Sequence, residues 1–351
     1  MNKKQLKMYS LFREWGTKMS YVHPLKIIWN ITSKCGYNCE ICATYSDRDE
    51  LDFCGKKKIL NSILSVGIEN IKEIDFAGGD PLFVADSIQV IHNAINVLGK
   101  EKVSVTTTGK GINNAVKMGE NLSQLLYNCE VTIDCLDHIS NLRKESSYVE
   151  SNQNAIKCAN KSIENLIINV PILNTEINND TIRRLVDQIA EIDVSNVSVN
   201  LIRLMNVGRM DSHKYIGLYS PEHFVRTFTE YAKNTCIKNV HIHCALRGKL
   251  LGTQCNMLSE KIGIDCSGNV FACAWGGYVE GYDKYNICKN PFYIGNLLEK
   301  SLVEVLTDKR VTQLEQLIKK NPTNHCRVYN FENSATNDIF QDNDLLFKNS
   351  N

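Results

Sequence analysis

The chain has 351 residues, 43% of them hydrophobic and 23% charged, and its 40 basic and 39 acidic side chains leave a formal net charge of +1. That length predicts a large domain with a smaller one, and the composition excludes wholesale disorder and a small disulfide-stapled scaffold. The balanced charge points to neither a nucleic-acid nor an anionic-membrane partner, and no window approaches the roughly 20 apolar residues that cross a bilayer.

Residues 1–23 are basic but lack the apolar run and cleavage site of a secretory signal, and they read as an N-terminal extension. A cytoplasmic protein is therefore expected, in which 14 cysteines serve metal or redox ligation rather than disulfides. Runs rich in β-branched residues predict strands at 27–32, 73–77, 103–107, 131–133, 166–171 and 197–201. Segments of helical spacing fall between them at 59–66, 87–98, 121–126, 152–162 and 180–189. Such alternation predicts a parallel sheet covered by helices, either an open doubly wound sheet or all or part of a barrel, with its chemistry at the strands' carboxyl ends.

After about residue 235 the chain becomes dense in cysteine and glycine. A hairpin is expected at 261–265 and 270–274 around the turn Cys266-Ser267-Gly268-Asn269, followed by a helix over 301–319. Residues 236–330 thus read as a second domain, and 331–351, rich in Asn and Asp, as a loosely packed tail.

The sharpest chemical signal is Cys35-Gly-Tyr-Asn-Cys39-Glu-Ile41-Cys42, directly after the first strand. Three thiolates on one loop suit an iron–sulfur cube with one iron left open, whereas zinc would require a fourth nearby ligand. A zinc knuckle or three buried thiols are the plainer alternatives. Cys-x3-Cys-x2-Cys after strand one of an alternating α/β chain resembles the radical S-adenosylmethionine superfamily. In that family the open iron of the 4Fe-4S cluster chelates S-adenosylmethionine, whose reductive cleavage yields a 5'-deoxyadenosyl radical that removes a substrate hydrogen.

The resemblance extends along the chain. Gly78-Gly79-Asp80-Pro81 is similar to the family's GGEP turn, which meets the methionine amino group; two glycines expose backbone there and proline fixes the turn. Thr107 stands where the family often has TNG, Asp134 where it has an SLDG-like turn, and Asn174 where an asparagine closes strand five. Arg143 occupies the usual arginine position, with a forked contact to the cosubstrate carboxylate implied, though a solvated helix arginine fits equally. Asn206-Val-Gly-Arg209 is similar to the family's PxGR segment.

Cys255, Gly268 and Cys273 reproduce the opening of a SPASM or twitch domain, which implies one auxiliary iron–sulfur cluster on Cys255, Cys273 and Cys326. Its fourth ligand is Cys288, Cys266 or a substrate atom, and zinc is the competing metal. The implied architecture is a partial (β/α)6 TIM-like barrel over 24–235 with that domain at its open side. Cys54, Cys129, Cys135, Cys158, Cys236 and Cys244 read mostly as small buried hydrophobes, Cys135 being also a conceivable hydrogen donor. His241 and His243 read as ordinary surface or core histidines.

SPASM and twitch relatives often cross-link or epimerise ribosomal peptides, so a peptide substrate is the first expectation, and oxidation of a small alcohol or aminosugar the second. A flavodoxin- or ferredoxin-type donor is implied. The residues before strand one are too few for a leader-binding domain, which implies a separate leader-peptide-binding protein or direct recognition. A metal-bound interaction module without turnover is the reading from a different class.

Overall fold

The computed structural model describes residues 25–45, 48–134, 143–145, 147–172, 178–210 and 221–347. Six expected strands are present as β1 (Leu25–Thr32), β2 (Ile71–Gly78), β3 (Val103–Thr107), β4 (Asn128–Thr132), β5 (Asn165–Ile172) and β6 (Asn196–Arg203). The seventh, β7 (Ile237–Ile242), continues the parallel order past residue 235. Helices α1 (Phe53–Leu64), α2 (Ala85–Leu98), α3 (Gly109–Lys117), α4 (Leu122–Leu125), α5 (Tyr148–Ala159), α6 (Asn179–Ala190) and α7 (Pro221–Ala232) fill the crossovers. Their starts obey local chemistry. Asp52 caps α1 by accepting from Gly55 N–H at 2.8 Å, and Thr108 caps α3 through Gly111 N–H at 3.3 Å.

After α8 (Cys244–Leu251) comes the expected hairpin, β8 (Lys261–Ile264) and β9 (Asn269–Phe271), with β10 (Tyr293–Asn296) beside it. This hairpin is part of the barrel sheet. Strand β8 pairs in parallel with β1, giving one ten-stranded sheet in the order β10-β9-β8-β1-β2-β3-β4-β5-β6-β7. The expected helix over 301–319 is two helices, α9 (Leu302–Leu306) and α10 (Lys309–Lys320). Asp308 separates them because its carboxylate accepts from Arg310 N–H at 3.0 Å and starts a new helix.

On β1 the side chains of Leu25, Ile27, Trp29 and Ile31 are buried toward the helices, and the alternate residues face the barrel interior. The C-terminal segment is not the loose tail expected. After α11 (Arg327–Glu332), Ile339 is buried, and fully buried Asp344 accepts from Arg203 Nη1 and Nη2, each at 2.8 Å. The strong anchor is a long-range ion pair that composition does not reveal. Among the described residues no helix is long and apolar enough to cross a membrane.

Candidate functional site

Two groups of thiols flank the barrel. The first lies on the loop leaving β1, where Cys39 is buried and Cys35 and Cys42 are half-buried. Burial pushes the Cys35 thiol up to about 12, with Asp80, Cys42 and Cys39 adding to the effect. Burial also raises Cys39, partly offset by the Arg143 guanidinium beside it. The loop is tied down by Thr44 Oγ1 donating to the Gly78 carbonyl at 2.8 Å and Arg209 N–H donating to the Cys42 carbonyl at 3.0 Å. Gly208 has φ +71°, and a Cβ there would lie 2.4 Å from the Cys42 carbonyl oxygen, so glycine is what lets residues 206–209 lie against the loop.

The turn after β2 is held against the chain that leaves β1. Gly79 N–H donates to the Thr32 carbonyl at 2.7 Å and Asp80 N–H to the Lys34 carbonyl at 2.8 Å; a Cβ on Gly79 would meet Lys34 O at 2.3 Å. Gly78 and Gly79 therefore let two stretches of this chain's backbone touch, and Gly78 also lines the barrel cavity. Asp80 is fully buried and its carboxylate accepts from Leu82 N–H (3.0 Å), Thr107 Oγ1 (2.7 Å), Thr108 N–H (3.1 Å) and Thr108 Oγ1 (2.6 Å). Asp80 and Thr107, both expected at the cosubstrate, are engaged with each other and brace the ends of β2 and β3. Pro81 opens the buried turn Pro81–Phe83, and Ile41 is a core residue of the cysteine loop.

Arg143 makes the forked contact foreseen for it, but within the protein. Its Nε and Nη2 donate to the two oxygens of fully buried Asp134 at 2.7 and 2.8 Å. A guanidinium withdrawn from water requires such a carboxylate, and the pair leaves the positive charge beside Cys39. Cys135 and Asn174 lie outside the described residues.

The second group is built from four separate places. Cys244 at the start of α8, Cys255 after it, Cys273 after β9 and Cys326 before α11 line one small cavity of about 30 Å³. Cys266 and Cys288, the expected candidates for a fourth ligand, do not line it. Cys266 is buried in the hairpin turn among Asp265, Glu50 and Arg48, and Cys288 is exposed near Tyr293. Burial pushes Cys273 up to about 12, with Cys244 and Cys255 adding to the effect. At Cys244 burial also acts upward, but His243 and Lys261 outweigh it and hold the thiol near 5. Lys261 Nζ donates to Cys244 Sγ at 3.4 Å.

Of the remaining cysteines, Cys129 is buried as expected, whereas Cys54, Cys158 and Cys236 are exposed. His243 is buried and accepts from Trp275 Nε1 at 3.2 Å, while exposed His241 lines the barrel cavity.

Among the described residues no three His, Cys, Asp or Glu side chains converge tightly enough to hold a single metal ion. Four thiols arranged around one pocket are a donor set that an iron–sulfur cube takes.

Between the thiol groups lies the barrel's cavity, about 380 Å³. A barrel interior is usually filled by branched aliphatic side chains; this one carries a polar belt. Lys26 Nζ donates to Glu73 at 3.1 Å and Glu130 at 3.5 Å, Thr106 Oγ1 to Asp75 at 2.9 Å, Asn169 Nδ2 to Glu130 at 3.3 Å, and Asn200 Nδ2 to Asn169 at 3.1 Å. Burial, reinforced by Glu130 and Glu73 against Lys26, lifts Asp75 to about 7. Sequence reasoning missed this belt, although charges at inward positions of apolar strands, such as Asp75 in Ile74-Asp75-Phe76, were its signal. Thr44 and Gly78 form one wall of the cavity. Lys261 and Trp275 form another and also line the four-thiol pocket.

Comparison with known proteins matches residues 255–328 to the SPASM iron–sulfur cluster-binding domain and residues 26–157 to a 4Fe-4S single cluster domain. The chain is similar to GTP 3',8-cyclase of Clostridium perfringens (strain 13 / Type A), 27% identical over 220 residues, 60% of this chain and 62% of that one. It is also similar to GTP 3',8-cyclase of Vibrio atlanticus (strain LGP32), 23% identical over 188 residues, 52% and 54% of the two chains. The chain thus spans less than two thirds of the length of either curated relative. Among solved structures, SuiB of Streptococcus suis bound to precursor peptide SuiA aligns with TM-score 0.66 at 16% identity, over 97% of this chain and 79% of that one. Together these matches support a radical S-adenosylmethionine protein of the SPASM type. Native anSMEcpe with bound AdoMet and Cp18Cys peptide shares this chain's fold at TM-score 0.53 and 16% identity, over 83% of this chain and 82% of that one. The two domain matches give it iron–sulfur clusters as cofactors.

Proposed function

We propose that this protein is a cytoplasmic enzyme that cleaves S-adenosylmethionine reductively and abstracts hydrogen from a ribosomally made peptide, leading to a cross-link or an epimerised residue. The observation that carries this reading is the polar cavity lying between two groups of thiols. Cys35, Cys39 and Cys42 would hold the first cluster, three thiolates for four irons. When bound, this cluster and S-adenosylmethionine supply the one-electron chemistry and the hydrogen-abstracting radical. The chain's own residues orient and enclose. The Gly78–Pro81 turn, braced through Thr107, and the Asp134–Arg143 pair shape the cosubstrate wall, and Arg143 keeps a positive charge at Cys39. The cavity walls hold the substrate and exclude water.

The cavity lining sets Asp75 and Glu130 beside Lys26 and Lys261, a mixed polar surface that offers hydrogen-bond partners to an amide, an amine or a hydroxyl. The shared fold with two proteins whose structures hold peptides supports the peptide. The 380 Å³ cavity with this mixed polar lining also supports a second reading, a small amine-bearing alcohol or aminosugar. Electrons come from a flavodoxin- or ferredoxin-type donor, and a separate leader-peptide-binding protein presents the peptide.

Anaerobic reconstitution with iron counting and assay of 5'-deoxyadenosine under dithionite tests the chemistry. The wild type is expected to hold about eight irons and to cleave S-adenosylmethionine, and Cys35→Ala/Cys39→Ala/Cys42→Ala about four, without cleavage. Stoichiometric zinc in place of iron, or cleavage that survives the triple substitution, would refute it.

A further inference from the structure

We infer that Cys244 is the fourth protein ligand of the second cluster, so that protein thiolates close its coordination and no iron there is open to substrate. This rests on the reading that the four-thiol pocket holds an iron–sulfur cluster. The matched cluster-binding domain begins at residue 255 and leaves Cys244 outside it. The fold nevertheless brings Cys244 to Cys255, Cys273 and Cys326 around one cavity. Four thiols match the ligand requirement of a fully coordinated cube.

Three of the four thiols are fixed by hydrogen bonds from their own or a neighbouring backbone N–H. Cys255 N–H donates to the Thr323 carbonyl at 2.8 Å, and Cys326 N–H to Asp344 at 3.3 Å. His243, one residue before Cys244, donates its N–H to the Leu201 carbonyl of β6 at 2.9 Å, so the end of the barrel sheet sets the position of Cys244. Lys261, an inward residue of β8, donates to Cys244 Sγ and with Trp275 forms the partition between pocket and substrate cavity. A cationic donor on a ligating sulfur is the outer contact that steadies a thiolate ligand. Cys266 and Cys288 lie elsewhere, and with four thiols in the pocket a substrate atom is not needed to complete the shell.

The test uses the full chain with Cys35→Ala/Cys39→Ala/Cys42→Ala, so that only the second pocket retains ligands. Into this parent are placed Cys244→Ala, Cys244→Ser and, as a buried-thiol control, Cys129→Ala. Each is reconstituted anaerobically, its iron counted, and the electron paramagnetic resonance spectrum of the reduced cluster recorded with and without 2-mercaptoethanol. The parent and Cys129→Ala are expected to hold about four irons, with spectra indifferent to the added thiol. Cys244→Ala is expected to lose cluster or to show a spectrum that shifts when thiol enters the open position, and Cys244→Ser to show an altered spectrum from oxygen ligation. Cys244 variants with the parent's iron content and thiol-indifferent spectrum would overturn the ligand assignment, as would a parent spectrum that itself shifts with thiol. A parent without iron would instead overturn the underlying cluster reading.

Discussion

Asp80 carries four protein hydrogen bonds where water is excluded, and their loss has a measurable cost. Asp80→Ala leaves Thr107, Thr108 and Leu82 donors without their acceptor and is expected to lower the unfolding free energy by about 3 kcal/mol, read by urea denaturation. A substitution that left stability intact and weakened only S-adenosylmethionine binding would make Asp80 a ligand residue instead of a brace. Asp75 gives a pH signature. Its folded pKa, near 7, is above the ordinary carboxylate value, so the native state holds a proton that the unfolded state releases. Its contribution is full below about pH 4 and is lost as pH rises through 7. Wild-type stability should therefore decline across that window relative to Asp75→Asn, whose uncharged amide has no such titration. Parallel stability profiles for the two proteins from pH 5 to 8 would contradict this origin of the slope.

At the scale of elements, the strand and helix alternation was legible because period and β-branched content are local properties, and the three-cysteine loop because its spacing is contiguous. What escaped depends on partners distant in sequence. Cys244 meets its fellow thiols only when β7 returns to the sheet edge, and the lumen belt emerges only when six strands turn one face inward. The break at Asp308 was local and readable as a capping residue, but the apolar period on both sides disguised it. The C-terminal segment escaped because its anchor is one ion pair, Arg203 with Asp344, spanning much of the chain. Asp344→Ala leaves a buried guanidinium without its carboxylate and is expected to cost about 3 kcal/mol. Because Asp344 also accepts from Cys326 N–H, the same variant should lose iron from the second pocket before the first and expose residues 333–347 to limited proteolysis. Wild-type protease resistance with full iron loading would show the anchor to be dispensable.

At the scale of the molecule, the cysteine-rich segment and the barrel share a sheet. Strand β8 pairs with β1 from Lys26↔Lys261 to Trp29↔Ile264, covering an edge of the parallel sheet that would otherwise offer unpaired backbone. The buried Arg48–Asp265 ion pair at 2.6 Å and Asn30 Nδ2 donating to Tyr278 Oη at 2.6 Å join the same two regions. Neither region can then unfold without stripping hydrogen bonds from the other, and a single cooperative transition follows. Tryptophans report on both sides, Trp29 in β1 and Trp275 beside the four-thiol pocket. With Trp15→Phe as background, a protein keeping only Trp29 and one keeping only Trp275 should show the same urea midpoint and slope by fluorescence, once each is referred to its own stability by circular dichroism. A Trp275 transition that precedes the Trp29 transition by more than the measurement error would mean that the second thiol pocket opens while the barrel stays folded, and that the shared sheet does not couple them.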